Sequence, residues 1–337
     1  MPKLETRNWK LDKNWINQLK FLISNFTVKV QDEQSVNYFW FAMKDAGYIM
    51  DSKKFYQKLD RVLGIPTLPV VAFKVNKMLQ DYDISINELT KTIEKDQAIV
   101  SKILRLVNSA FYGFQSKIET VSHAVIVLGF NTVRNAVLSV SVIKAFSGKD
   151  SFEGFDIKDF WRHSVGVATV GRHLAGQTRL DNPDDCFIAG LLHDIGKVIL
   201  SEYFKESFGQ VWASVRDDGL SFYEAEKNLL PLNHAQIGGH LAAKWQLPLS
   251  LVDTIRYHHA VREGVSNLNQ LMIVYVADII VNTHNVDSGT ACDFSNIYPK
   301  AAKIMRPQLE TVSDWFPPVA TEIESACELL LKPELSY

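Results

Sequence analysis

The sequence predicts an all-α fold, and three observations carry that prediction. Apolar residues recur at spacings of three and four along almost the whole chain, and no stretch alternates persistently, so the hydrophobic period is that of helices. Helix punctuation is frequent: Ser85 with Glu88 makes a capping box, and Asn182, Pro183, Asp184 and Asp185 combine a cap, a proline at the first helical position and acids in the first turn. The composition, 47% hydrophobic and 22% charged over 337 residues, allows a sizeable core and excludes wholesale disorder.

In chain order, the elements group into four segments. Residues 1–58 read as a helical extension with two aromatic-rich stripes, Trp15, Leu19, Leu22, Phe26 and Val36, Phe39, Trp40, Met43. The two prolines of LGIPTLPV then forbid helix continuation and place a joint near residues 63–69. Residues 59–150 read as a smaller helical subdomain. It has a helix after Ser85, another around Ile99, Ile103 and Leu106, a turn-rich break at NSAFYGF, and two helices about Gly129 between Thr120 and Phe146. The small, polar run SGKDSFEG suits a domain boundary. Residues 151–286 read as a bundle of longer helices, with starts at Asn182, Asn233, Ser250 and Asn267. From Asp287 the remaining segment, 287–337, reads as loop until Pro317 and Pro318, which precede a last amphipathic helix from Ile323 to Leu331.

Several function classes are excluded by what is missing. A net charge of −2, from 36 basic and 38 acidic residues, gives no electrostatic grip on nucleic acid or anionic lipid. The segment LGFNTVRNAVL has a helix-turn-helix outline without a basic recognition face, so no DNA binding is expected. Cys186, Cys292 and Cys327 form no CxxC pair, which removes a disulfide framework and a cysteine zinc cage and fits a reducing compartment. The polar amino terminus does not read as a signal peptide, and no stretch approaches the ~18 apolar residues of a membrane span. The strongest span candidate, Leu271 to Val281, is short and contains Asp278. A cytoplasmic protein with no membrane partner is expected.

The informative polar residues stand inside apolar stripes. His163 begins the stripe of Val167, Val170 and Leu174, and Asp194 interrupts that of Phe187, Leu191 and Val198. His234 opens Ile237, Leu241 and Trp245; His259 follows Val252 and Ile255; Asp278 sits between Val274 and Val281. One inward histidine is ordinarily a hydrogen-bonded core residue. A buried aspartate is different, because an unpaired carboxylate costs on the order of several kcal/mol and must neutralise or find a cation. Two such aspartates with several histidines, converging from five helices, are compensated together by a metal centre. His193 and Asp194 are adjacent on one helix, about 100° apart in projection, with Lys197 on nearly the same face as Asp194. His258 and His259 form a second adjacent pair. Imidazole with carboxylate favours iron, manganese or zinc over magnesium or calcium, and a carboxylate shared by two ions suits attack on a phosphoester.

At His193-Asp194-Ile195-Gly196-Lys197 the carboxy-terminal half resembles the HD superfamily of metal-dependent phosphohydrolases. The family order of a histidine, an HD dipeptide and a later aspartate matches His163, His193, Asp194 and Asp278. The two-metal HD-GYP branch, cyclic di-GMP phosphodiesterases, adds a lysine, a histidine and a double histidine, matching Lys197, His234, His258 and His259. The resemblance implies two divalent ions, iron or manganese ahead of zinc, bridged by Asp194 and assisted by Lys197. The chain departs from that branch after the double histidine, where Ala260 replaces a glutamate and no Gly-Tyr-Pro follows. Asp159, four residues before His163, stands where some members hold a third metal. The preceding half, from LPVVAFKVNKMLQ through NSAFYGF to IETVSHAVIVLGFNTVRNAVLSV, resembles the HDOD domain of bacterial signalling proteins, over about residues 60–265. That resemblance implies a signal-transduction role with a signalling protein as partner. The alternative it leaves is an active phosphohydrolase or phosphodiesterase on a nucleotide or cyclic dinucleotide. His123, His173, His240 and His284 fit no ligand slot.

Overall fold

The computed structural model describes residues 52–62, 67–78, 85–109, 117–146, 152–285 and 297–331, and every regular element among them is helical. They fall into two compact units. In the first, α1 (Ser52–Arg61) buries Phe55 and Leu59, four residues apart on one face. The Ser52 hydroxyl donates to the Pro231 carbonyl of the same unit at 3.0 Å. The aromatic stripes expected before residue 50 and the boundary expected at residue 150 lie outside the described residues.

The second unit opens with α2 (Val70–Met78), α3 (Ile86–Ile93), α4 (Gln97–Val107), α5 (Val121–Leu128) and α6 (Phe130–Phe146). The capping box starts α3 as the sequence predicts: the Glu88 amide donates to Ser85 Oγ at 3.2 Å, and Ser85 donates back to the Glu88 carboxylate. α5 and α6 part at Gly129, whose φ is 84°. α6 is the hub of this half, packed against α2, α4 and α5, with Val133, Val137, Leu138 and Val142 wholly buried. Val121–Phe146 together span 26 residues at a hydropathy of 1.6, long and apolar enough to cross a membrane, which corrects the expectation that no stretch approaches that length. The break at Gly129 and the packing on three helices make this the hydropathy of a core element.

The ligand-bearing helices follow: α7 (Ile157–Thr178), α8 (Pro183–Leu192), α9 (Ile195–Tyr203), α10 (Lys205–Asp218), α11 (Phe222–Leu229), α12 (His234–Lys244), α13 (Leu249–Tyr257) and α14 (Leu268–Asn285). α7 lies against α8 and α14, while α12 packs on α9 and α13. Asn233 caps α12 with Gln236 as its box partner, and Asn267 Oδ1 accepts from the Gln270 amide at the start of α14. Ser250, expected to start a helix, is already the second residue of α13, which follows Pro248 without a side-chain cap.

The chain beyond Asp287, expected as loop until the prolines, is helical from residue 299: α15 (Pro299–Ile304), α16 (Arg306–Glu310) and α17 (Val312–Leu331). Pro317 and Pro318 lie inside α17 and do not precede it. Each removes one helical N–H, but the carbonyls left without a donor belong to Ser313 and Asp314, which are exposed and reach water. α17 returns along α7 and also touches α4 and α6.

The acids of the α8 first turn do more than cap. Asp184 accepts from Thr132 Oγ1 at 2.7 Å and Arg172 Nε at 3.2 Å, and Asp185 accepts from Asn135 Nδ2 at 2.7 Å and Arg134 at 3.3 Å. Burial lowers the Arg134 pKa against the opposing pull of Asp185, so that guanidinium depends on its partner. These bonds tie α6 to the helix that delivers His193. Replacing Asp185 with alanine strands two part-buried donors and is expected to lower stability by about 2–3 kcal/mol, read as a lower urea midpoint at unchanged slope.

Candidate metal centre

All seven expected ligands meet in two adjoining groups. One contains Asp194, His234, His258 and His259; the other contains His163, His193 and Asp278. Within each group the ligand atoms lie within 4.8 Å of one another. Asp194 joins them. Its Oδ1 is 2.9 Å from His234 Nε2 and 3.4 Å from His258 Nε2, and its Oδ2 is 3.5 Å from His193 Nε2 and 3.8 Å from His163 Nε2. Asp278 Oδ1 closes the second group at 3.2 Å from His163 and 3.6 Å from His193. An ion holding N and O ligands at about 2.0–2.2 Å sets edges between neighbouring ligands of about 2.9–3.6 Å. The spacings here are of that size.

The structure corrects the local geometry of the two adjacent pairs. His193 and Asp194 do not share a helix: they form the turn between α8 and α9. His193 Nδ1–H donates to the Gly190 carbonyl at 2.6 Å, three residues back. His258 repeats the device just past the end of α13, donating from Nδ1 to the Ile255 carbonyl at 2.8 Å. In both cases the ring takes a carbonyl at the helix end, and the next residue turns its own side chain into the site.

Those bonds also fix which nitrogen faces inward. A carbonyl only accepts, so Nδ1 carries the proton of the neutral ring and Nε2 presents a bare lone pair. His234 is held likewise by a residue that sequence reasoning missed, Glu226 of α11. Its carboxylate accepts from His234 Nδ1 at 2.5 Å and from the His234 amide at 2.9 Å, and it is fully buried. Glu226 follows Phe222 at helical spacing and precedes His234 by eight residues, a signal that only a packed structure makes readable. Asn282, also missed, donates to Asp278 Oδ1 at 2.8 Å.

The ring nitrogens converge: His234 Nε2 lies 3.3 Å from His258 Nε2 and 3.0 Å from His259 Nε2. His193 Nε2 and Asp194 Oδ1 are buried without a hydrogen-bond partner. Such an arrangement could hold a cation at its centre, and the donor set fits one. In the bare protein, protons take part of that role. Burial opposes charge on His234, but Glu226 and Asp194 outweigh it and raise its pKa to about 9. Burial drives His258 down to about 4, and His259 well below its ordinary value. Burial also disfavours the Asp194 carboxylate, yet His193, Lys197 and His234 hold it well below the usual carboxylate range. Lys197 donates to Asp194 Oδ2 at 2.5 Å and stays charged because Asp194 outweighs its burial.

Close packing sets the distance between α9 and α12. A Cβ on Gly196 would meet the His234 carbonyl oxygen at 1.9 Å, so only glycine lets the α9 backbone lie against the start of α12. Asp159, one turn before His163, is exposed and joins neither group, and neither do His123, His173, His240 and His284. His173 stacks on Trp315 and His284 bonds the Ile280 carbonyl.

Comparison gives the family of this helical bundle. The chain matches the HDOD domain over residues 65–261 and belongs to the HDOD family. It is 28% identical over 211 residues to an uncharacterized protein of Treponema pallidum (strain Nichols), a match covering 59% of this chain and 38% of that longer relative. An HDOD domain protein of unknown function from Geobacter sulfurreducens superposes with a TM-score of 0.64 at 25% identity, covering 82% of this chain and 97% of that one. The same fold recurs, at 24% identity and a TM-score of 0.64, in a candidate phosphohydrolase of Shewanella amazonensis SB2B, with 82% and 97% coverage. It recurs again in a candidate signal transduction protein of Marinobacter aquaeolei VT8, at 19% identity and a TM-score of 0.63, with 83% and 65% coverage.

Glu226 supplies the second check on the site. Glu226→Ala frees the His234 ring and is expected to weaken metal binding by about 10–100-fold, measured as competition with a chromogenic chelator, while the helical circular dichroism is kept.

Proposed function

We propose that this chain is a signalling HDOD protein whose second half holds two divalent ions, iron or manganese, and that this centre hydrolyses a phosphoester of a nucleotide or cyclic dinucleotide. One observation carries the reading: the two oxygens of Asp194 face two different sets of histidines, the arrangement of a carboxylate shared by two ions. His234, His258 and His259 would hold one ion, and His163, His193 and Asp278 the other. Ions bound there would supply a hydroxide nucleophile near neutral pH and neutralise the phosphoryl oxygens.

The chain's own residues contribute around them. Lys197 keeps a fifth of its side chain exposed while its ammonium bonds Asp194, so it neutralises that carboxylate and offers its remaining protons to a phosphoryl oxygen. Phe222 lies 5.3 Å from the Lys197 ammonium and limits water behind it. His163, with 17% of its side chain exposed, is the open side of the second group, whereas His193, His234 and His258 have no exposed surface.

A purely regulatory reading is favoured by the sequence after the double histidine, where Ala260 stands in place of a glutamate and Gly-Tyr-Pro is missing. In that reading the ions hold the bundle together for a protein partner. The two separate cleanly. The reading proposed here expects about two equivalents of metal in protein purified without chelator, lost in Asp194→Ala, and metal-dependent cleavage of bis(p-nitrophenyl) phosphate that disappears with it. Two equivalents of metal and a large fall in melting temperature on chelation, with no turnover on phosphodiesters, nucleotides or cyclic dinucleotides, would leave the regulatory reading.

A further inference from the structure

Beside His259 the surface dips into a pocket of about 190 Å³ that the metal centre does not use. Arg256, Tyr257 and Arg262 line it together with Tyr223, and no acidic residue does. Five arginines elsewhere are matched: Arg134 with Asp185, Arg162 with Glu324, Arg172 with Asp184, Arg216 with Asp217 and Arg306 with Glu310. Arg256 and Arg262 have no carboxylate partner among the described residues, and Arg262 rests only on the Tyr257 ring, 5.1 Å from its centre.

The pocket is shaped as well as charged. Arg256 runs along α12 where Gly239 leaves the backbone bare. A Cβ at that position would meet Arg256 Cβ at 2.7 Å and its Nε at 3.0 Å, so the glycine seats the arginine stem. The Tyr223 ring packs 4.6 Å from the ring of His259, the lining residue that also belongs to the ligand groups. Two unpaired guanidinium groups, one of them seated by packing, in a hollow that ends on a metal-ligand ring, are chemistry for a phosphate, which a guanidinium meets with two parallel N–H donors.

We propose that this pocket is a phosphate-binding subsite in which Arg256 and Arg262 hold a phosphate group of the ligand other than the one presented to the metal centre. It rests on the phosphohydrolase reading for its purpose, and it narrows the ligand to phosphoesters that carry a second phosphate.

The test is calorimetric titration of inorganic pyrophosphate into the metal-stripped full chain at low salt. Binding that weakens about tenfold or more in Arg256→Gln/Arg262→Gln, weakens on raising salt, and persists in Arg306→Gln is the expected result. Equal binding by the double variant and the parent, or no binding by the parent, overturns the subsite. Should the double variant fail to fold, Arg262→Glu, at an exposed position, gives the same reading. The metal assay on the same proteins keeps the two ideas apart: arginine-dependent binding with neither metal nor turnover would remove the phosphohydrolase reading and leave an anion site.

Discussion

The second half is organised around a carboxylate that water does not reach. Asp194 has only 2% of its side chain exposed, and four imidazoles and a lysine surround it. Leaving such a group uncompensated would cost a large part of the net stability of a domain, and the helices around it present positive charge or ring nitrogens to one point. Three of the rings are held from behind. Gly190 and Ile255 give carbonyls at helix ends, and Glu226 gives a carboxylate. The ends of α8 and α13 are therefore part of the site. A histidine that continued either helix would leave its carbonyl to the backbone ladder and lose its orientation.

Much of this was legible in the sequence. Period and punctuation located the helices that start after Ser85, Asn182, Asn233 and Asn267, because capping boxes and a proline at the first helical position act locally. Five of the seven candidate ligands were legible because they stand in apolar stripes, and His193 and His258 because each pairs with a neighbouring ligand and matches the family order. What escaped reading depends on contacts between distant segments. Glu226 looks like an ordinary acid on a helix until α11 lies beside the start of α12. Asp184 and Asp185 read as dipole partners, yet their larger role is to bind Thr132, Asn135 and Arg134 some fifty residues away. The HD dipeptide read as helical because nothing local marks a turn; the turn arises when the His193 ring takes the Gly190 carbonyl. Pro317 and Pro318 read as a helix boundary because the sequence does not show that Ser313 and Asp314 are exposed, where water replaces the missing donors.

The first half of the HDOD domain matters to the centre mechanically. α6 buries nearly its whole surface and meets α8 through the acids of its first turn, while α17 crosses α7, α4 and α6. A displacement of α6 would therefore load the same helix whose last turn presents His193. The first half is thus joined to the ligand groups by a short packed route, without any residue of that half entering them.

The departure from the HD-GYP pattern gains a physical meaning at the mouth of the site. Where that branch places a glutamate after the double histidine, Ala260 contributes no charge, and two residues further Arg262 contributes a positive one. The metal-ligand interior is thus kept while the rim changes from acidic to basic. Two dications held by the buried carboxylates Asp194 and Asp278, as proposed, would draw anions inward. A basic rim adds a second attraction beside the first, and its separation from the metal centre then selects ligands by the spacing of their phosphates. On the proposed reading, the missing Gly-Tyr-Pro bears on which phosphoester the centre would accept, while both ligand groups are present.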